Sequence, residues 1–175
     1  MKYEIVIEHE SYTRKEFPDM AYYTSVSPSV KNNELVGQQK ISQYLSGGHG
    51  VVTLVSPSGK SYSYKFRYPR EEQTFVDGTM FVYSREGNKK WAYVGMFVSG
   101  IFRSTTMSEF ARSSEVFKGA KYIVRMATDA NLKSPMKLYH EGYCCVCGRR
   151  LTSVKTMSEG VGPKCKRRMK EYGIF

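Results

Sequence analysis

No cysteine precedes Cys144, and all four (Cys144, Cys145, Cys147, Cys165) crowd toward the C-terminal end. A secreted disulfide framework spreads its cysteines along the chain, so that class is not expected. Long apolar runs are missing too: none approaches the roughly 20 residues that span a bilayer. The opening Met1–Glu8 alternates like a strand and lacks the apolar core of a secretory leader. A reducing cytoplasm, with no membrane partner, is the expected setting, and clustered cysteines there more often hold metal than crosslink. Acidic residues are scarce, 16 against 27 Lys and Arg, giving a net charge of +11 and a pI near 9.5. Such an excess favours an anionic partner, most often nucleic acid. Catalytic signatures are absent as well: there is no P-loop, dinucleotide glycine pattern, HExxH or GxSxG.

What the chain does have is aromatic and β-branched sequence. With 175 residues, 14 Tyr and 9 Phe, it can bury a core, and its length suits one domain plus a small module. Residues 3–8 read as a strand and 9–32 as polar loop. Residues 33–45 carry Leu35, Val36, Ile41, Tyr44 and Leu45, a helical pattern stopped by Gly47-Gly48. Val51–Val55, turn residues Pro57–Lys60 and Ser61–Tyr68 form a hairpin signal. Within it Tyr62, Tyr64, Phe66 and Tyr68 share one face, while Ser63, Lys65 and Arg67 share the other. The aromatic row reads either as core or as a stacking platform for bases; if it is core, Lys65 and Arg67 form an exposed basic row. A second hairpin pairs Thr79–Ser84 with Trp91–Val98, and the latter is apolar on both faces, as a central strand is. Residues 114–128 carry an apolar stripe of helical period, with Ser113 or Ser114 as cap. The expected architecture is α+β, an antiparallel sheet with packed helices over residues 1–135, plus a small basic zinc-binding module over 136–175.

The module rests on Cys144-x-x-Cys147, then Gly148, then Gly162-Pro163-x-Cys165. A C-x-x-C knuckle brings two sulfurs to one metal, and structural zinc takes four Cys or His ligands in a tetrahedron. Gly148 suits the positive φ that a knuckle needs. Pro163 suits the first position of a helix, which puts Cys165 in a first turn where free N–H groups favour a thiolate. His140 is the expected fourth ligand; Cys145, His9 and His49 are the other donors to hand. Arg149, Arg150, Lys155, Lys164, Lys166, Arg167, Arg168 and Lys170 lie in this stretch against Glu141, Glu159 and Glu171. Lys65, Arg67, Arg149, Arg150, Lys164, Arg167 and Arg168 are therefore the candidate phosphate contacts.

The string Cys144-x-x-Cys147-Gly148-Arg149-x-Leu151-Thr152, followed by Ser158-x-Gly160-x-Gly162-Pro163-x-Cys165, resembles a short zinc-ribbon-like domain of unknown function found in phage and actinobacterial proteins. The resemblance is specific over about 140–168 and loose over about 50–135, where Phe102–Thr105 and the 114–128 helix take part. It implies a phage-like origin and one zinc ion held by Cys144, Cys147 and Cys165; it implies no activity. The spacing from Ser158 to Gly-x-Gly-Pro is shorter than the family's.

Elsewhere, Gly47-Gly48-His49-Gly50 reads as a helix-ending turn, and Glu71, Glu72, Asp77 and Asp19 read as solvated loop acids. The expectation is a non-enzymatic nucleic-acid-binding protein with a structural zinc site, acting in host cytoplasm if phage-encoded. A protein-interaction module directed at a host defence or transcription component is the rival class, and a nuclease ranks below both.

Overall fold

The structure is a computed structural model, and it describes residues 33–70, 73, 75–85 and 90–174. The strand expected at 3–8 and the loop at 9–32 lie outside them. Ten elements follow in chain order: α1 (Gln38–Leu45), β1 (Val51–Val55), β2 (Ser61–Arg67), β3 (Met80–Arg85), β4 (Ala92–Val98), β5 (Ile101–Arg103), α2 (Glu115–Thr128), β6 (Lys137–His140), α3 (Val154–Glu159) and α4 (Pro163–Glu171). The six strands form one antiparallel sheet in the order β5-β4-β3-β2-β1-β6. Among the described residues no helix is long and apolar enough to cross a membrane.

Both expected hairpins form. Val51 pairs with Lys65 and Val55 with Ser61; Met80 pairs with Phe97 and Ser84 with Ala92, across a register shift at Val82/Tyr83. The strand β4 lies inside the sheet, between β3 and β5, as its apolar faces require. The short β5 turns back on β4 through Ser99-Gly100, both at positive φ; three residues are too few to show alternation.

Residues 33–37 do not continue α1 upstream. Their backbone is used by β6 instead: His140 N–H donates to Asn33 O at 3.0 Å, and Leu35 N–H to Leu138 O at 2.8 Å. Paired outward in this way, the Asn33 carbonyl and the Leu35 N–H are not available to a helical turn, and the first i to i−4 bond is Ile41 N–H to Gly37 O at 3.2 Å.

One face of the sheet carries the main core. Val52, Leu54, Tyr64, Phe66, Val82, Val94 and Leu138 pack with Phe117, Ala120, Ile123 and Val124 of α2 and with Ile41, Tyr44 and Leu45 of α1. Ser114 caps α2 by accepting from Phe117 N–H. Tyr64 and Phe66 are fully buried, so that half of the aromatic row is core, whereas Tyr68 is 43% exposed. The opposite face carries a smaller cluster of Val51, Phe81, Tyr83, Trp91, Tyr93 and Met96. This cluster overturns the expected basic row. Lys65 is 0% exposed, its Nζ 4.9 Å from the ring centres of both Tyr83 and Trp91. The cation faces aromatic rings and cannot reach a phosphate from there; Arg67 is half-buried.

Residues on both sides of the expected boundary at 136 share one core. β6 is hydrogen-bonded along β1, with Val52 opposite His140. Cys144, Cys145, Leu151, Val161 and Met169 share the core with the sheet and α2.

Gly119 shows how tightly α2 sits. A Cβ there would overlap the Tyr64 hydroxyl, which donates to Val116 O at 3.0 Å. Helix propensity alone predicts that Gly119→Ala stabilises by about 1 kcal/mol. The structure predicts the reverse, a loss of about 1–3 kcal/mol from overpacking and a displaced hydrogen bond. Urea denaturation checks this, with Tyr64→Phe expected to restore much of the loss in the double variant.

Candidate metal centre

The centre is built by the chain that follows β6. After Glu141 and Gly142 it folds into a tight loop closed by Gly148 N–H to Cys144 O (2.9 Å), Cys144 N–H to Arg149 O (2.8 Å) and Leu151 N–H to Gly142 O (2.8 Å). Gly148 takes φ +68, the left-handed value expected of the knuckle residue. Ser153 then starts α3 through a capping box with Thr156. Gly160 ends α3 in the left-handed conformation, and Gly162-Pro163 opens α4 with Pro in the first turn.

This path brings Cys144, Cys147 and Cys165 together, their sulfurs all within 4.8 Å of one another. Cys144 is buried, Cys165 half-buried and Cys147 exposed, so the cluster sits at the edge of the core and opens toward solvent. Burial works to raise the Cys144 thiol, but N–H groups of Gly162, Cys147 and Val146 point at it and outweigh burial, leaving it below its ordinary value. The Gly162 N–H, at the start of α4, lies 3.4 Å from that sulfur. Cys165 is pushed up to about 12 by burial, then by its hydrogen bond with Cys147 and the negative charge of Cys144. Three soft donors this close repel one another as thiolates, and a bound cation relieves that repulsion. The group can hold a metal ion.

Cys145 is adjacent but outside the group. It is fully buried, its N–H donates to Gly160 O at 3.1 Å, and its carbonyl accepts from His49 N–H at 2.7 Å. Burial, then the charge of Cys144, raises its thiol far above the ordinary value.

The structure also does not bring His140 to the sulfurs. Its Nε2–H donates to Met157 O at 2.6 Å and its Nδ1 accepts from Gly142 N–H at 3.1 Å, so both ring nitrogens are used within the protein. The ring stacks on Tyr44, with centres 5.3 Å apart. Burial lowers it to about 4, the Met157 carbonyl opposing and the Lys40 charge adding. His140 thus joins the sheet edge to α3 rather than serving the metal. Tyr44 completes this joint: its hydroxyl donates to Tyr143 O at 3.2 Å, and Gly160 has no room for a Cβ against its ring. A tyrosine within a helical apolar pattern looks like any core residue, which is why this role is invisible in sequence.

His49 lies against the knuckle; a Cβ on Gly148 would be 3.9 Å from its Cδ2. Burial, then the Arg67 charge, holds it below its ordinary value. Arg149, Arg150, Lys164, Arg167 and Arg168 are all exposed, and among the described residues they form no ion pair. Lys166 differs: it pairs with Glu159 at 2.8 Å and ties α4 to α3.

A family of unknown function (DUF6011) has a model that matches residues 138–170, from β6 through the cysteine cluster into α4. No curated protein and no solved structure matches the chain.

The buried His140 makes stability depend on pH. Its folded value near 4 lies below the ordinary 6.5, so as pH falls the unfolded chain takes up the proton first. Its contribution is fully present above about pH 6.5 and is lost progressively down to about pH 4, by roughly 3 kcal/mol in all. Urea midpoints of the metal-free, reduced chain across this window are expected to fall, and those of His140→Gln to fall less steeply.

Proposed function

We propose that the chain is a non-enzymatic nucleic-acid-binding protein in which one structural zinc ion clips a basic surface to an α+β core. The observation that carries this reading is the convergence of Cys144, Cys147 and Cys165. Cys147 lies two residues before Arg149, and Cys165 follows Lys164 directly. Bringing their sulfurs within 4.8 Å gathers two exposed basic segments, Arg149-Arg150 and the start of α4, at one corner of the molecule. On α4, Lys164 and Arg168 are one turn apart with Arg167 beside them. Cations gathered in this way can bind a phosphate backbone, with guanidinium forks and an ammonium point charge.

Zinc fits the donor set because thiolates favour it and a small segment gains folding energy from it. The ion's task here is structural. Lys65, placed among the aromatic cluster, is excluded from the binding surface. A phage-encoded factor acting in host cytoplasm is supported by the resemblance of 140–168 alone.

Two measurements test the reading. Elemental analysis of the purified chain is expected to find one zinc, lost in Cys147→Ser and retained in Cys145→Ser; equal loss from both overturns the assignment. Binding to single- or double-stranded DNA or RNA, followed by mobility shift, is expected to weaken steeply with salt, and Arg167→Ala with Arg168→Ala should lower the log–log salt slope by up to about 2. No shift at low salt with any of these nucleic acids overturns nucleic-acid binding and favours a protein partner.

A further inference from the structure

Three sulfurs leave a tetrahedral zinc one ligand short. The donors near the cluster are mostly committed elsewhere. Both ring nitrogens of His140 are hydrogen-bonded. The Cys145 thiol is fully buried and packed against Gly47. Glu141 accepts from Thr53 on the sheet at 2.9 Å, and Glu159 is paired with Lys166.

The loop Gly47-Gly48-His49-Gly50 is a further feature beside the cluster; its last residue extends the sheet, the Gly50 carbonyl accepting from Phe66 N–H at 2.8 Å. It is pressed onto the cysteine segment. His49 N–H donates to the Cys145 carbonyl at 2.7 Å. Gly47 sits so close that a Cβ there would lie 2.7 Å from Cys145 Sγ. Gly48 lies flat against the Tyr68 ring, where a Cβ would overlap it, and the Tyr68 hydroxyl donates to Ser46 O at 3.0 Å. Any side chain at 47 or 48 would lift the loop away. The product of this fit is a half-buried imidazole beside Gly148, the residue directly after Cys147. Neither His49 ring nitrogen makes a hydrogen bond among the described residues, in contrast to His140.

We propose that His49 is the fourth ligand, completing a site of three sulfurs and one imidazole nitrogen. The inference rests on the metal reading above. The ring stands outside the group of three sulfurs, so binding the ion turns the side chain inward while the loop backbone stays tied to Cys145. The metal then joins the α1–β1 loop, the knuckle and α4, and the ligand set spans the chain from residue 49 to residue 165.

The test uses the full-length, reduced chain titrated with Co2+ and, separately, loaded with zinc for X-ray absorption. The wild type is expected to show the intense visible bands of four-coordinate Co2+ and a zinc shell of three sulfurs with imidazole scattering. His49→Ala should lose the imidazole scattering and bind Co2+ at least about tenfold more weakly, the scale on which lost support costs a metal site. His49→Cys should keep tight binding and raise the sulfur-to-metal charge-transfer band to a four-thiolate level, which also guards against reading misfolding as ligand loss. An unchanged spectrum and affinity in His49→Ala, or a fourth sulfur in the wild type, overturns His49 while leaving the metal site standing. A wild type that takes up no metal overturns both readings.

Discussion

Everything after residue 136 takes its position from the pairing of β6 with β1. Four residues, Lys137–His140, hydrogen-bonded along Val52–Val55, set the direction in which the chain leaves the sheet. Cys144 follows within one short loop and is buried in the core that the sheet and α2 share. A strand without this neighbour would leave β1 as an open edge, and the knuckle would have nothing to rest on. A segment this small cannot bury enough apolar surface to fold alone. Here it borrows the core of the larger unit, and a metal would add a second tie at its far side.

The joint between the two parts is polar as well as apolar. Tyr44 and His140 stack at its centre. The hydroxyl of one reaches the Tyr143 carbonyl and the imidazole of the other reaches the Met157 carbonyl. Buried groups of this kind are tolerable only when satisfied, and His140 meets that condition at both nitrogens. The same satisfaction that stabilises the joint removes His140 from metal chemistry. His49, whose ring nitrogens have no such partners among the described residues, is the imidazole that the proposed site uses.

Much of the fold was legible in the residues. Two hairpins and α2 followed from period, turn chemistry and a Ser cap, because these signals are local. The stop of α1 at Gly47-Gly48 and the start of α4 at Pro163 followed in the same way. What escaped were β6 and the extended run at 33–35, each short and held by a neighbour far away in sequence, the three-residue β5, too short to show a period, and α3, a single short helix with no apolar stripe of its own. Lys65 escaped for a related reason. Alternation assigns it to the face opposite Tyr64 and Phe66, but it cannot reveal that Tyr83 and Trp91 cover that face too.

The sequence by itself determined the α+β class, the grouping of the thiols near the C-terminal end and the identity of three of them as a set, since the C-x-x-C knuckle and the helix-borne Cys165 carry their own local geometry. Only the tertiary structure decided whether His140 stands with the three thiols, whether the 62–68 row is surface or core, and whether one core spans residue 136. Those questions turn on which groups already have partners across tens of residues, and hydrogen-bond and packing partners are properties of the folded chain, with no counterpart in spacing along it.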